Sequence, residues 1–264
     1  MTGLIESCSR MDQQFIAPFG LSVRSVLLLE NIVAGSIKTW LRSKIESVED
    51  DALKSGDWKK LMGSFLVKGK HATVKFLEDR PTITKAEEIY DLQSVIREAA
   101  EQTGIPILYN PPIPAREIAE SVRLLSVSTS PLRDGDEVKY IDAEGSLRIN
   151  TSFQVTAERI EDLLTVETIL NKVEMILKIK KPDFLGESMW DFRHEGKKLP
   201  AKVLDESWLK SFRDGEVTLR PGDALRGMVE VATKYGNDTE VIATHYKILK
   251  VEGILPHSAP GVVH

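Results

Sequence analysis

Residues 172–180 read KVEMILKIK, and that alternation decides the fold class. Val173, Met175, Leu177 and Ile179 share one parity, and Lys172, Glu174, Lys178 and Lys180 share the other. Successive side chains of a strand project to opposite faces, so the pattern predicts a strand with one buried and one solvated face. The same alternation returns at Leu199, Ala201 and Val203. It returns again at Leu225, Val229 and Val231, set against Arg226, Glu230 and Lys234. YGND at 235–238 turns the chain, and residues 241–251 come back. One helix interrupts these strands. Asp205 is placed to cap its first amides, Leu204 and Leu209 to staple that end, and Asp214-Gly215 to stop it. Residues 168–256 are therefore expected to form a C-terminal antiparallel β module, barrel- or sandwich-like, with a helical plug.

Upstream the texture is different. Residues 22–33 predict a strand, broken by Ala34-Gly35-Ser36. In residues 37–48 the spacing of Ile37, Trp40, Leu41, Ile45 and Val48 predicts a helix. Residues 57–79 carry Trp58, Leu61, Met62, Phe65, Leu66, Ala72, Phe76 and Leu77 on one face, with the lysines on a solvated back. A helix over 85–103 has Thr84 and Glu87 at capping-box spacing, a stripe of Ile89, Leu92, Val95, Ile96, Ala99 and Ala100, and Gly104 at its end. Residues 105–108 read as a short strand and 115–125 as a third helix, with Ile118, Ala119, Val122 and Leu125 inward. Residues 137–141 and 146–149 predict a hairpin, and 158–165 a short helix. The expected class is α+β. A mixed N-terminal domain over 13–130 and a connecting hairpin and helix over 131–167 precede the β-rich module over 168–256.

Composition bounds the function. The 264 residues are 42% hydrophobic and 28% charged, the usage of ordinary globular chains. Thirty-five Lys and Arg against forty Asp and Glu leave a net charge of −5, so nucleic acid is not expected as the main partner. A single cysteine, Cys8, forbids an internal disulfide and fits a reducing compartment. The first residues form no secretory signal, and the longest apolar candidate, 58–77, is interrupted by charge. A cytoplasmic protein without membrane contact is expected.

The search for chemistry is largely negative. The five histidines have no metal-ligand spacing, and no metal site or cofactor is expected. Neither phosphate-loop glycine pattern is present. Arg220-Pro221-Gly222-Asp223 reads as a strand-entry turn in which Asp223 bonds a turn amide. Ser207 and Lys210 fit SxxK without its companion motifs, and Glu137-Val138-Lys139 fits an ExK without a second acidic strand. Residues 115–120 followed by 127–133 resemble a helix-turn-helix run. The best site candidate is Trp190, Phe192, Arg193 and His194, whose aromatic and cationic side chains alternate and suit a nucleotide or a peptide. On a strand the same alternation puts Trp190, Phe192 and His194 on one face and Asp191 and Arg193 on the other, and core packing is the expectation it favours.

Trp190/Phe192, Ala201-Lys202/Asp205, Gly222-Asp223/Leu225 and Tyr246/Ile248/Lys250-Val251 together resemble a recurring module of uncharacterised bacterial proteins from mobile-element and phage-defence islands. The resemblance spans residues 175–251 and assigns no catalytic residue. It implies a non-enzymatic sensor, adaptor or assembly subunit of an antiviral-defence or mobile-element system, whose partner is another protein subunit or a second copy, with a nucleotide as a possible ligand. The alternatives are a metal-dependent nuclease or hydrolase with a fold-assembled site, and a DNA-binding regulator.

Overall fold

The computed structural model describes residues 2–19, 23–32, 39–47, 56–104, 112–132, 136–142, 145–183, 188–220 and 222–257; side chains are described neither in residues 23–47 and 56–58 nor at 2 and 238. The fold is α+β and divides into two compact units, Met1–Leu164 and Thr165–His264. The hairpin and helix anticipated as a connector count with the first unit. Among the described residues no helix is long and apolar enough to cross a membrane.

The first unit begins with α1 (Thr2–Ile16), which the sequence reading missed. Its buried side chains are Ser7, Met11, Asp12, Phe15 and Ile16, a 3.6-residue stripe in which two of the five are polar. The hairpin β1 (Val23–Ile32) and β2 (Thr39–Ser47) follows. The helix expected over 37–48 is therefore a strand across its described part, Thr39–Ser47. Thr39, Trp40 and Ile45 favour extended backbone, and the peptide groups of the apolar β1 need a ladder partner that a helix does not supply.

Helices α2 (Gly56–Leu77), α3 (Ala86–Gln102) and α4 (Ala115–Thr129) build the core of this unit. Met62, Phe65, Leu66 and Leu77 are buried, whereas Leu61, Ala72 and Phe76 are half-buried. The side chain of Trp58 and the strand expected over 105–108 lie outside the described residues. Helix α3 starts one residue later than expected, so Glu88, not Glu87, closes the cap. Its Oε1 accepts from the Thr84 amide, the Thr84 hydroxyl and the Lys85 amide at 3.0, 2.7 and 3.1 Å. Val95 is 47% exposed and does not belong to the stripe. Gly104 ends the helix at φ +81°, the left-handed conformation that glycine adopts without a Cβ penalty. Helix α4 runs unbroken through residues 121–129, so no turn separates two DNA-binding helices there. The hairpin β3 (Val138–Asp142) and β4 (Gly145–Ile149) and the helix α5 (Ala157–Leu164) complete the unit.

The second unit is a closed five-stranded barrel of order β5-β6-β7-β9-β8. Its strands are β5 (Glu167–Lys181), β6 (Trp190–His194), β7 (Lys197–Val203), β8 (Ala224–Tyr235) and β9 (Val241–Leu255), with α6 (Glu206–Arg213) between β7 and β8. All pairings are antiparallel except β7 with β9, a parallel contact over Ala201–Val203 and Tyr246–Ile248. The module is thus mixed, not purely antiparallel. Helix α6, inserted between β7 and β8, lets the chain leave β7 and come back into the barrel elsewhere, so that β9 runs beside β7. Most of the alternating residues fill the interior: Leu177, Leu199, Ala201, Leu225, Val229 and Ile248 are buried, whereas Met175 and Val231 are half-buried and Val173, expected on the same face, is 41% exposed. Gly227 lies where β8 and β9 nearly touch. A Cβ there would meet the Lys250 carbonyl oxygen, so only glycine fits beside this register shift.

Candidate functional site

The four residues singled out from sequence separate by parity on β6. Trp190 and Phe192 point into the barrel and are 1% and 0% exposed. Their rings lie 6.0 Å apart, and Trp190 also meets Phe212 at 5.3 Å and Trp208 at 5.8 Å, both from α6. Helix α6 is the plug, and the aromatic cluster is its seat. Burying side chains of this size contributes roughly 1.5–3 kcal/mol each, which accounts for the aromatic character of the motif without a ligand. Arg193 is exposed on the outer face. The His194 Nδ1 donates to the Ile176 carbonyl at 3.2 Å, at the point where β6 stops pairing with β5.

The outer face holds a feature visible only once the strand register is known. Lys178 on β5 stands directly opposite Arg193 on β6, and Arg193 directly opposite Lys198 on β7. All three are exposed. Directly opposed like charges destabilise a sheet, here by up to about 1 kcal/mol per pair in water. The only carboxylate within 4 Å of the row among the described residues is Asp191, 3.1 Å from Lys198. A second basic pair, Lys202 opposite Lys247, continues around the barrel, with Lys247 partly neutralised by Glu230 at 3.3 Å. The second unit carries fifteen Lys and Arg and fifteen Asp and Glu, so the acidic excess of the chain lies wholly in residues 1–164.

The loops are shaped by capping chemistry. The Asp205 carboxylate caps α6 through the Trp208 amide at 3.1 Å, and its second oxygen accepts the Val251 amide of β9 at 3.0 Å. Partial burial raises the pKa of this carboxyl, but bonds from the Val251 amide, the Ser207 hydroxyl and the Trp208 amide outweigh burial and hold it below the ordinary range. Leu209 is buried while Leu204 stays 41% exposed, so only half of the expected staple is packed. Ser207 and Lys210 are accounted for: the serine hydroxyl bonds Asp205 at 2.7 Å, and Lys210 is exposed. Asp223 accepts the Arg220 amide at 2.7 Å and the His257 amide at 2.9 Å, closing the expected turn and tying down the end of β9.

The first unit holds a buried polar cluster that sequence reasoning missed. Lys70 was expected on a solvated helix back. Instead it is 4% exposed and bonds Asp12, itself fully buried, at 2.5 Å. His71 lies 3.2 Å from both oxygens of Asp142. Burial raises the Tyr140 phenol strongly, with the Asp142 charge adding to it. Burial also raises the Cys8 thiol, against the Lys70 charge, so this cysteine stays protonated and is a poor nucleophile. The cluster ties α1 to α2 through the Lys70–Asp12 pair and α2 to β3 through the contact of His71 with Asp142. The ExK of Glu137 and Lys139 is exposed and self-paired at 3.4 Å, with Arg148 at 4.0 Å. Among the described residues no three His, Cys, Asp or Glu side chains converge as a metal site.

No family model matches this chain, and no curated protein or solved structure matches it. The candidate site therefore rests on geometry alone.

Proposed function

We propose that this chain is a non-enzymatic binding protein whose barrel takes a phosphate-bearing oligonucleotide on the outer face of β5, β6 and β7. The observation that carries this reading is the row Lys178–Arg193–Lys198, three cations held side by side at a cost in stability that an anionic ligand would repay. Numbered within the barrel, the strand order is 1-2-3-5-4, with a helix between the third and fourth strands and the third parallel to the fifth. That connectivity is the one in which OB folds bind oligonucleotides on strands 2 and 3. The likeness is one of fold and supports the location rather than the ligand. No exposed aromatic side chain flanks the row among the described residues, so the contacts expected are to the backbone and indifferent to sequence. The motif resemblance over residues 175–251 favours a setting in bacterial defence or mobile elements, where such a module would serve as a sensor or adaptor.

The test is fluorescence anisotropy with a labelled oligothymidylate across a salt series. Three phosphate contacts on a single strand predict a slope of log K against log[salt] of about −2, and Arg193→Ala should flatten it by about 0.7. Absence of binding at low salt, or a slope indifferent to Arg193→Ala, refutes the proposal. Equal competition by polyglutamate would move the ligand to an acidic protein.

A further inference from the structure

We propose that β5 pairs antiparallel with β5 of a second copy of this chain, on a two-fold axis at Val173. This inference is independent of the cationic face. β5 is bonded along one edge to β8 over residues 167–178, but it pairs with β6 only from Lys178 onward. The other edge of residues 167–177 faces no described strand. Residues 167–174 are all exposed, with Leu170 at 60% and Ile176 at 51%. A long, apolar, uncovered edge is what folded proteins ordinarily blunt, and it is a template for strand addition.

The backbone is oriented for it. The Ile179 amide bonds the Asp223 carbonyl on the β8 side, whereas the Ile176 carbonyl meets His194 on the opposite side. Peptide groups of the even residues from Leu170 to Ile176 therefore face the free edge. His194, at the end of β6, marks where that strand gives way to open edge.

A second copy fits because of the register it would adopt. An isologous antiparallel pairing must place one residue on the axis, and parity must be kept so that faces match. Centring on Lys172 would oppose two lysines. Centring on Val173 opposes Val173 to itself and sets Lys172 against the partner copy's glutamate and Glu174 against its lysine. It also places Leu170 against the apolar position equivalent to Ile176, twice by symmetry. Opposite charge and apolar pairs both favour this register. About seven residues per strand make a small interface, so a reversible dimer with Kd on the order of 10 µM is expected.

Sedimentation velocity of the full chain up to about 200 µM tests it. Wild type should dimerise with concentration. Lys172→Glu and Glu174→Lys should each be monomeric over this range, and the double exchange should restore the dimer. The Cα atoms of a non-hydrogen-bonded pair are about 4.5 Å apart, so Val173→Cys should oxidise to a covalent dimer and Asn171→Cys should not. A wild-type monomer throughout, or a dimer unaffected by Lys172→Glu, overturns the proposal.

Discussion

Replacing Asp205 by alanine should destabilise the barrel by about 2 kcal/mol. The side chain performs two tasks that sequence alone would separate. Its cap on α6 through the Trp208 amide contributes about 1 kcal/mol, the usual cost of losing an aspartate N-cap. Its second oxygen holds the Val251 amide, which becomes a partly buried donor without a partner and adds about 1 kcal/mol. Trp190 and Trp208 sit in the affected core, so with Trp40 and Trp58 replaced by Phe the fluorescence in urea reports the barrel. With a slope near 2 kcal/mol/M the midpoint should fall by about 1 M. Asp205→Asn keeps one acceptor oxygen and should lose about half as much. A shift below about 0.25 M for Asp205→Ala would refute the idea that one carboxylate fastens the plug to β9.

Further outcomes follow from the same structure. Lys70→Met should cost about 3–5 kcal/mol by removing the buried cation bonded to Asp12, and adding Asp12→Leu should recover most of it, both read by thermal melts. Gly227→Ala should lower the melting temperature of the barrel or abolish its folding, because the new Cβ meets the Lys250 carbonyl rather than a flexible side chain. Arg193→Thr should raise barrel stability by about 0.5 kcal/mol in low salt and by less in high salt, since it removes both opposed cation pairs. Asp205 and Asp223 have folded pKa values below their unfolded ones, so their contribution is complete above about pH 4 and is lost as pH falls through the folded values. Urea midpoints measured from pH 6 to pH 2 should fall below pH 4, and the loss should shrink in Asp205→Ala.

Much of the barrel was legible because strands with one wet face write their period into the chain. The alternation of residues 172–180, 199–203 and 225–231 marked β5, β7 and β8, and Asp205 with Asp214-Gly215 marked both ends of α6. Strand β2 was not legible: three or four apolar residues in nine positions satisfy either period, and only the ladder to β1 decides between them. Helix α1 was hidden because two of the five residues in its buried stripe are polar, and Asp12 gains its partner Lys70 only through the fold. The candidate site was half legible. The Trp190–His194 segment drew notice for its aromatic rings, which turned out to be core. The cation row needed strand register, which places Lys178, Arg193 and Lys198 side by side although they lie up to twenty positions apart.

The outer face of β5, β6 and β7 is the surface proposed to hold the ligand. Photo-cross-linking of a thiouridine-bearing oligonucleotide to the full chain, with peptides mapped by mass spectrometry, tests it most directly. Adducts should concentrate on the peptides carrying Lys178, Arg193 and Lys198 and be lost in Arg193→Glu. Adducts confined to residues 1–164, or to the strands β8 and β9, would contradict it.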